Sequence, residues 1–573
     1  MERPPRPGSW IPLAALAALG ILLFAPVLFG GRTLIATDFL EAHPLWRGRS
    51  RPVRNVHLSD TIEYYYPVER IYSEAARRGR LPVVNPYVFN GAPVPHGVHA
   101  WNSVWPVKLL FLWLFDPVRS YDLYAIFHWW LAGAAFFGLL RTRGIGNAAA
   151  FAAALAYALS SRSATWLHGH YLMPTMAYAP LAFLALVRRP SLAAVPVAGL
   201  FFTNPHAGIA VSLALAVYDR KAWKPVLAGL LMAGVALVPL AAAVRQGLRD
   251  PAAEAEWFYR DRWGCWRLLG GLLSPGTFNG AMPFNEHNAY IGILPLGLAL
   301  FGLRRERFFA ALAGLALAAA TCWPLPRWIA PLSFSLPTRY LFLFPLGACA
   351  CFARALDGLP LRPGMKAAAA VLVLADLAPR FLDYNRPYDP AILRERPAWA
   401  EAVRGRAGVF LPDSPAIGRH FFPPLSLFGI ESVQGYDVAV PRAQAEALGG
   451  AGRVAGGRVI VLDDPEHPAL DALGMKFLIT DTSFAPRRFR PAGSFGAVRI
   501  YENPAAREVP PRTFPFAPYR IGLALTLAGC VLGGLLGLRD RPRPGEGHHP
   551  GVVSSVIYEF PPGPGPGREG ETP

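Results

Sequence analysis

Charge is scarce in this chain: Asp, Glu, Lys and Arg make up 16% of its 573 residues, against about 25% in an average soluble domain. With 53% hydrophobic residues and a mean hydropathy of +0.28, that scarcity excludes an ordinary water-soluble enzyme. The apolar residues are gathered into runs of Leu, Ala, Val and Phe, many long enough to cross a hydrocarbon core of about 30 Å. Cysteine is sparse too. The five residues Cys265, Cys322, Cys349, Cys351 and Cys530 lie mostly in or beside apolar runs and form no CxxC pair, so no disulfide framework or zinc-ligand spacing is expected. Cys349 and Cys351 point to different faces of a helical run and read as small apolar packers. Also missing are a Walker loop, a GxSxG elbow, HExxH and a GxGxxG in strand–helix context. ATPase, serine hydrolase, zinc protease and dinucleotide-binding readings lose support accordingly.

What charge there is leans basic, with 56 Lys and Arg against 38 Asp and Glu and a net charge of +18. The basic residues are scattered through loops rather than gathered on one face, so the pattern reads as contact with anionic lipid and not with nucleic acid. An anionic substrate is also compatible with it.

Twelve apolar segments follow one another, near 11–30, 122–140, 147–161, 171–187, 191–203, 206–218, 225–243, 289–303, 308–323, 339–355, 366–379 and 519–537. The first has the basic start of a signal peptide but too long a core, and is read as a retained span. Several segments are short for a full crossing, and those between 191 and 218 leave the number of spans open. The aromatic stretch 105–115 reads as a helix lying in the interface or re-entering. The expected fold is a polytopic α-helical membrane protein of about 12 transmembrane helices.

Alternating the crossings from a cytoplasmic N-terminus puts the short basic loops 141–143, 188–189, 219–224, 304–307 and 354–366 on one side, with RDRPRP after the last span. By the positive-inside rule that side is the cytoplasm, and both termini lie there. The domains expected are a cytoplasmic N-terminus and first span (1–30), an extracytoplasmic first loop (31–121), a multi-span core (122–379), an extracytoplasmic α/β domain (380–518), a last span (519–537) and a disordered cytoplasmic tail (538–573). A second exported loop falls near 244–288. The α/β character of 380–518 rests on the β-type runs RVIVLDD, KFLITD and AVRIYEN and on the helical RAQAEALGG. The Pro/Gly-rich composition of the tail argues against a packed core there.

Candidate chemistry collects in the exported parts. Asp38 in IATDFLEAH and Asp60 in LSDTIEYYYP are acidic candidates, the latter followed by Glu63 and three tyrosines. A carboxylate near the bilayer surface suits a general base that activates a sugar or phosphate acceptor. The competing reading is that Ser59 or Asp60 caps the following helix, with Glu63 completing a capping box. Asn85 and Asn90 sit in the turn-rich LPVVNPYVFNGAPV. His168 and His170 form an HxH pair that is either a metal half-site, a substrate contact, or a pair of hydrogen-bonding interface residues. His128, inside a span, is a functional candidate or a neutral histidine bonded to a neighbouring helix. Glu286 and His287 precede another span, and Arg339 stands at the exported mouth of a further one. Its five donors suit a lipid-linked phosphate, and an interface anchor is the alternative.

In order, LSDTIEYYYP, VVNPYVFNGAPV, HNAYIGILPLGLAL, LPTRYLFLFPLG, SVQGYDVAVP, ALGMKFLITD and VRIYENPAAR resemble the YfhO-type bacterial membrane proteins, which belong with the GT-C class of polytopic glycosyltransferases. Val84 stands where that pattern has a tryptophan. The resemblance implies transfer of a sugar from a polyprenyl-phosphate donor to a cell-envelope glycan or glycopolymer acceptor, outside the cytoplasmic membrane of a bacterium. It makes Asp60, matching the acidic residue of the first exported loop, the catalytic base, with Asp38 as second candidate. Glu63, Asn85, His168, His170, Glu286, His287 and Arg339 are the substrate-binding candidates. No cofactor is required on this reading, although a divalent cation could screen the phosphate. The rival readings are a transporter or flippase for a lipid-linked saccharide, and a membrane scaffold whose exported domain binds a partner.

Overall fold

The computed structural model describes residues 10–46, 53–80, 84–93, 102, 104–169, 171–248, 264–273, 288–321, 337–412, 424–437, 440–455, 458–509 and 517–540. Helices α1 (Ile11–Leu23), α2 (Tyr66–Arg77), α3 (Pro106–Leu114), α4 (Pro117–Thr142), α5 (Asn147–Ala158), α6 (Met173–Arg188), α7 (Ala194–Thr203) and α8 (Pro205–Tyr218) make the first half of the bundle and its approach. Helices α9 (Trp223–Met232), α10 (Gly234–Gln246), α11 (Ile293–Gly302), α12 (Arg307–Thr321), α13 (Leu343–Gly358) and α14 (Pro363–Tyr384) make the second. The short α15 (Arg442–Leu448) lies in the sheet region, and α16 (Ala517–Arg539) returns to the bundle against α9 and α10.

Every apolar segment of the sequence carries a helix or a broken pair of helices, but the helix lengths depart from twelve full crossings. Among the described residues three helices are long and apolar enough to cross a membrane: Pro117–Thr142, Thr338–Gly358 and Ala517–Arg539. A fourth results if Arg220–Met232 and Gly234–Ala242, bent by 64° at their junction, form one span. Helix α14 is long enough at 22 residues but carries Lys366, Asp376, Arg380 and Asp383, and the remaining apolar helices are of 10–17 residues, below the roughly 20 that a straight crossing takes. The apolar runs are interrupted by residues that oppose helix. Asn204, forced extended (φ −149°, ψ 93°) ahead of Pro205, separates α7 from α8 and caps the latter through Ala207 N. Ser160, likewise extended, ends α5 and caps the next turn at Ser163 N. The stretch 105–115 forms the nine-residue α3, too short to span.

Two polar faces close the bundle. On one, Arg143 binds Glu306 through Nε (3.1 Å) and Nη2 (2.7 Å) while Arg354 Nε reaches the other carboxylate oxygen at 2.8 Å. Arg143 also donates to Tyr218 Oη, and Gly146 N to Asp357 Oδ1. The ends of α4, α8, α11 and α13 and the starts of α5 and α12 therefore meet where the basic loops lie. On the other face the segment after α1 meets the end of α14 through a bridge between Thr33 and Tyr388. Asp122 near that end of α4 and Arg143 beyond its far end are about 30 Å apart at the helical rise of 1.5 Å per residue.

Beyond α14 the chain builds a mixed four-stranded sheet in the order β3-β6-β8-β7, from β3 (Ala407–Phe410), β6 (Phe477–Thr480), β7 (Arg490–Phe495) and β8 (Val498–Glu502). Strands β3 and β6 are parallel and the other pairs antiparallel. The hairpin β4 (Gly452–Ala455) and β5 (Val459–Leu462) lies beside it, and a shorter hairpin, β1 (Val84–Asn85) and β2 (Ala92–Pro93), is contributed by the first loop. Alternation divides the sheet's side chains. Phe477, Ile479, Val498 and Ile500 join the large core that runs through the helices, while Leu478 packs with Phe89, Ala92, Val433 and Met475 in a second core. First loop and sheet domain thus share both of their cores.

Candidate functional site

The site grows around the buried strap Thr33–Thr37, whose five residues are all at 2% exposure or less. A buried segment outside helix and sheet must find partners for its backbone polar groups, and three distant elements supply them. Asp122 of α4 accepts from Leu34 N (2.8 Å) and Thr33 Oγ1 (3.0 Å), His168 Nδ1 lies 2.8 Å from Leu34 O, and Thr61 Oγ1 accepts from Ala36 N at 3.1 Å. Thr37 Oγ1 donates to Asp389 O at 2.9 Å. The strap fixes the turn that carries Asp60 against the helical bundle.

Asp60 stands at the head of a π-helical turn, Thr61–Tyr65, that runs into α2. Asp60 does not cap the turn that follows it. Asp60 already has helical torsions (φ −54°, ψ −25°) and makes no side-chain cap hydrogen bond, whereas a cap needs extended backbone to turn its side chain toward the open N–H groups. That role falls upstream to Asn55 (φ −136°, ψ 99°), which accepts from His57 N at 3.1 Å. Asp60 instead looks across to the sheet domain, where Tyr436 Oη donates to its Oδ1 at 2.9 Å.

Tyrosines crowd this junction. Tyr64, Tyr65, Tyr171 and Tyr436 pack with ring centroids 5.8–6.0 Å apart for the pairs Tyr64–Tyr65, Tyr64–Tyr436 and Tyr65–Tyr171. Burial first, and then the Asp60 and Glu63 carboxylates, hold the Tyr436 phenol well above its usual range, so it stays a donor. Burial followed by Asp437 does the same for Tyr64. Glu63 is buried within the π-turn.

The other candidates are distributed unevenly. Asp38 opens a short helix, Asp38–Ala42, where its Oδ2 accepts from Arg54 N at 2.8 Å and its Oδ1 is buried without a hydrogen-bond partner among the described residues. Burial raises its carboxyl above the usual value against the pull of Arg54. Asn85 Oδ1 is turned to Tyr87 N at 3.0 Å within the first-loop hairpin. His168 is buried with Nδ1 committed to the strap. His170, Glu286 and His287 lie outside the described residues. Arg339 is half-buried in the 3-10 turn Pro337–Phe342. His128 bonds to Tyr124 O (2.8 Å) and to Tyr178 Oη (2.9 Å) of the neighbouring α6, as the second of its two readings has it.

Three residues absent from the sequence reading belong to this region. Tyr436 lies in SVQGYDVAVP, a motif of the resemblance, and that is the local signal for it. Arg162, fully buried, donates through Nη2 to Thr338 O at 3.3 Å and lies over the Trp166 ring, beside the turn of Arg339. Asp122 sits inside an apolar run with no local sign of its partner. Among the described residues no group of three or more His, Cys, Asp or Glu side chains is placed to hold a metal ion.

No protein-family model and no curated protein matches the chain. Among solved structures it is similar to the arabinofuranosyltransferase AftD from mycobacteria, with a TM-score of 0.46 and 16% identity over 86% of this chain and 39% of that one. A mutant of the same enzyme gives a TM-score of 0.47 and 16% identity over 87% and 42%. The oligosaccharyltransferase of Archaeoglobus fulgidus, solved with zinc and sulfate, gives 0.42 and 14% over 82% and 68%. The chain spans about two fifths of the length of the AftD structures.

Proposed function

We propose that the chain is a GT-C-type membrane glycosyltransferase of the bacterial cytoplasmic membrane. It moves a sugar from a polyprenyl-phosphate donor to a cell-envelope glycan or glycopolymer on the extracytoplasmic side, with both termini inside. The observation that carries the reading is the placement of Asp60, an acidic residue on a π-turn where the first loop, the bundle and the sheet domain meet, hydrogen-bonded to Tyr436. Asp60 is favoured over Asp38 as base because Asp38 is directed to the backbone of its own loop.

In the proposed reaction an acceptor hydroxyl oxygen attacks the anomeric carbon of the donor. Its proton passes to Asp60, the bond from carbon to phosphate oxygen breaks, and the polyprenyl phosphate leaves with the electron pair. Arg339 holds that phosphate. Glu63, Asn85, His168, His170, Glu286 and His287 complete the contacts to donor and acceptor. Membrane anchoring of the donor makes the encounter effectively two-dimensional, leaving only the acceptor to diffusive capture. The scheme needs no organic cofactor, and a divalent cation bound with the donor would assist by screening its phosphate.

The test is transfer by purified protein in lipid vesicles, offered a panel of polyprenyl-phosphate sugars with envelope extract as acceptor. Wild type is expected to transfer at least one sugar, and Asp60→Asn to fall by about 10²-fold or more. Equal rates for the two proteins would remove Asp60 from the chemistry.

A further inference from the structure

We infer that Tyr436 is a positioning residue for Asp60 and that the first-loop hairpin Val84–Pro93 is the clamp that keeps it in place; this deepens the proposed function and rests on Asp60 being the base. The contact joins residues 376 positions apart, so its geometry depends on how the sheet domain is held against the first loop. That hold is specific. Within the domain, the segment Ser432–Tyr436 is tied to β3 by a bridge between Ser432 and Ala407 and by the Gln434 side chain, whose Oε1 accepts from Val409 N at 2.6 Å. From the first loop, Phe89 N donates to Gln434 O and Asn90 N to Ser432 O, both at 3.0 Å, and Asn90 Nδ2 reaches Leu473 O at 2.9 Å.

The hairpin makes these bonds with two consecutive non-glycine residues in left-handed backbone, Phe89 (φ 53°) and Asn90 (φ 59°). Such torsions persist where the surroundings over-determine them. Contact is close enough that a Cβ at Gly435 would come within 2.6 Å of Val88 Cβ. Hairpin and segment therefore move together, and Tyr436 with them.

Chemically, a phenol that donates to one carboxylate oxygen favours the ionised form of the acid and directs its second oxygen. Besides the bonded Tyr436, the phenols of Tyr65 and Tyr121 are within electrostatic reach of Asp60, as Glu63 and Arg458 are of Tyr436. Loss of the Tyr436 hydroxyl alone leaves the other groups in place.

The test compares wild type, Tyr436→Phe, Asn90→Ala, Asp60→Asn and the double variant Tyr436→Phe/Asp60→Asn in the vesicle transfer assay, across pH. For Tyr436→Phe we expect kcat to fall about tenfold and the acidic limb of the profile to move up by about one pH unit, with KM for both substrates within about twofold. Asn90→Ala is expected to move kcat and limb in the same directions, and the double variant to be no slower than Asp60→Asn alone. A Tyr436→Phe protein with wild-type kcat and limb, beside an inactive Asp60→Asn, would overturn the inference and leave the base assignment standing. A rise in KM with an unmoved limb would make Tyr436 a merely structural contact and overturn it as well. Wild-type behaviour of Asn90→Ala would overturn the clamp. Full transfer by Asp60→Asn would remove the base assignment and the inference together.

Discussion

Lys108 Nζ lies 2.6 Å from Glu69 Oε1, with both side chains closed to solvent. The pair joins α3 to α2, and Ser120 Oγ of α4 donates to the same Glu69 oxygen at 2.6 Å while the ammonium lies over the Tyr124 ring. A buried charge that loses its partner cannot recover the hydration it gave up, so breaking such a pair costs about 3–5 kcal/mol, whereas replacing both members by apolar residues is often neutral. Glu69→Gln and Lys108→Met singly are expected to lower the unfolding temperature sharply in detergent. The double variant Glu69→Leu/Lys108→Met should recover most of that loss.

Acid should weaken the first loop through His43. This imidazole is fully buried, its Nδ1 accepts from Leu45 N at 3.2 Å, and burial pushes its pKa from 6.5 down to about 3. A depressed folded-state value means that the stabilisation is complete above the unfolded value and is lost as pH falls from about 6.5 toward 3. The slope is about 1.4 kcal/mol per pH unit for one proton. Unfolding of wild type followed over that window should show the slope, and His43→Leu should flatten it by one proton.

A methyl group at Gly302 should be poorly tolerated. A Cβ there would run into the backbone carbonyl of Cys351, and one at Gly347 into that of Phe309. Small residues let α11 and α12 approach α13 this closely, and a carbonyl inside a helix cannot rotate aside as a side-chain tip can. Gly302→Ala is expected to cost about 1–3 kcal/mol, read as a lower unfolding temperature and a smaller monodisperse fraction in size-exclusion chromatography. Gly314→Ala, where a Cβ meets nothing within 4 Å, is the matched control.

Much of the scaffold was legible in the sequence because apolar runs and β-branched runs are local signals. RVIVLDD, KFLITD and AVRIYEN became Val459–Leu462, Phe477–Thr480 and Val498–Glu502, and RAQAEALGG became Arg442–Leu448. The site was legible only in part. Asp60 stands out by residue type and neighbourhood and Tyr436 lies in a recognisable motif, but their pairing is a contact between positions 376 residues apart, which no local pattern encodes. Lys108 inside WPVKLLFLWLF carries no local sign of its role, because its burial is made tolerable by Glu69 on another helix. The alternative of a cap at Ser59 or Asp60 fails for a local reason: the 3-10 turn Val56–Leu58 leads into the π-turn with Ser59 already helical (φ −55°, ψ −40°), so no extended residue remains at that point to serve as one.

The Arg143–Glu306–Arg354 cluster pins the ends of α4 and α13 and the start of α12 to one another. Helix ends riveted at one face can change their mutual angles only by spreading at the other, as the blades of a fan do. The displacement at the free end would grow with helix length, so that a tilt of a few degrees about Glu306 would move the level of Asp122, about thirty ångströms along α4, by ångströms.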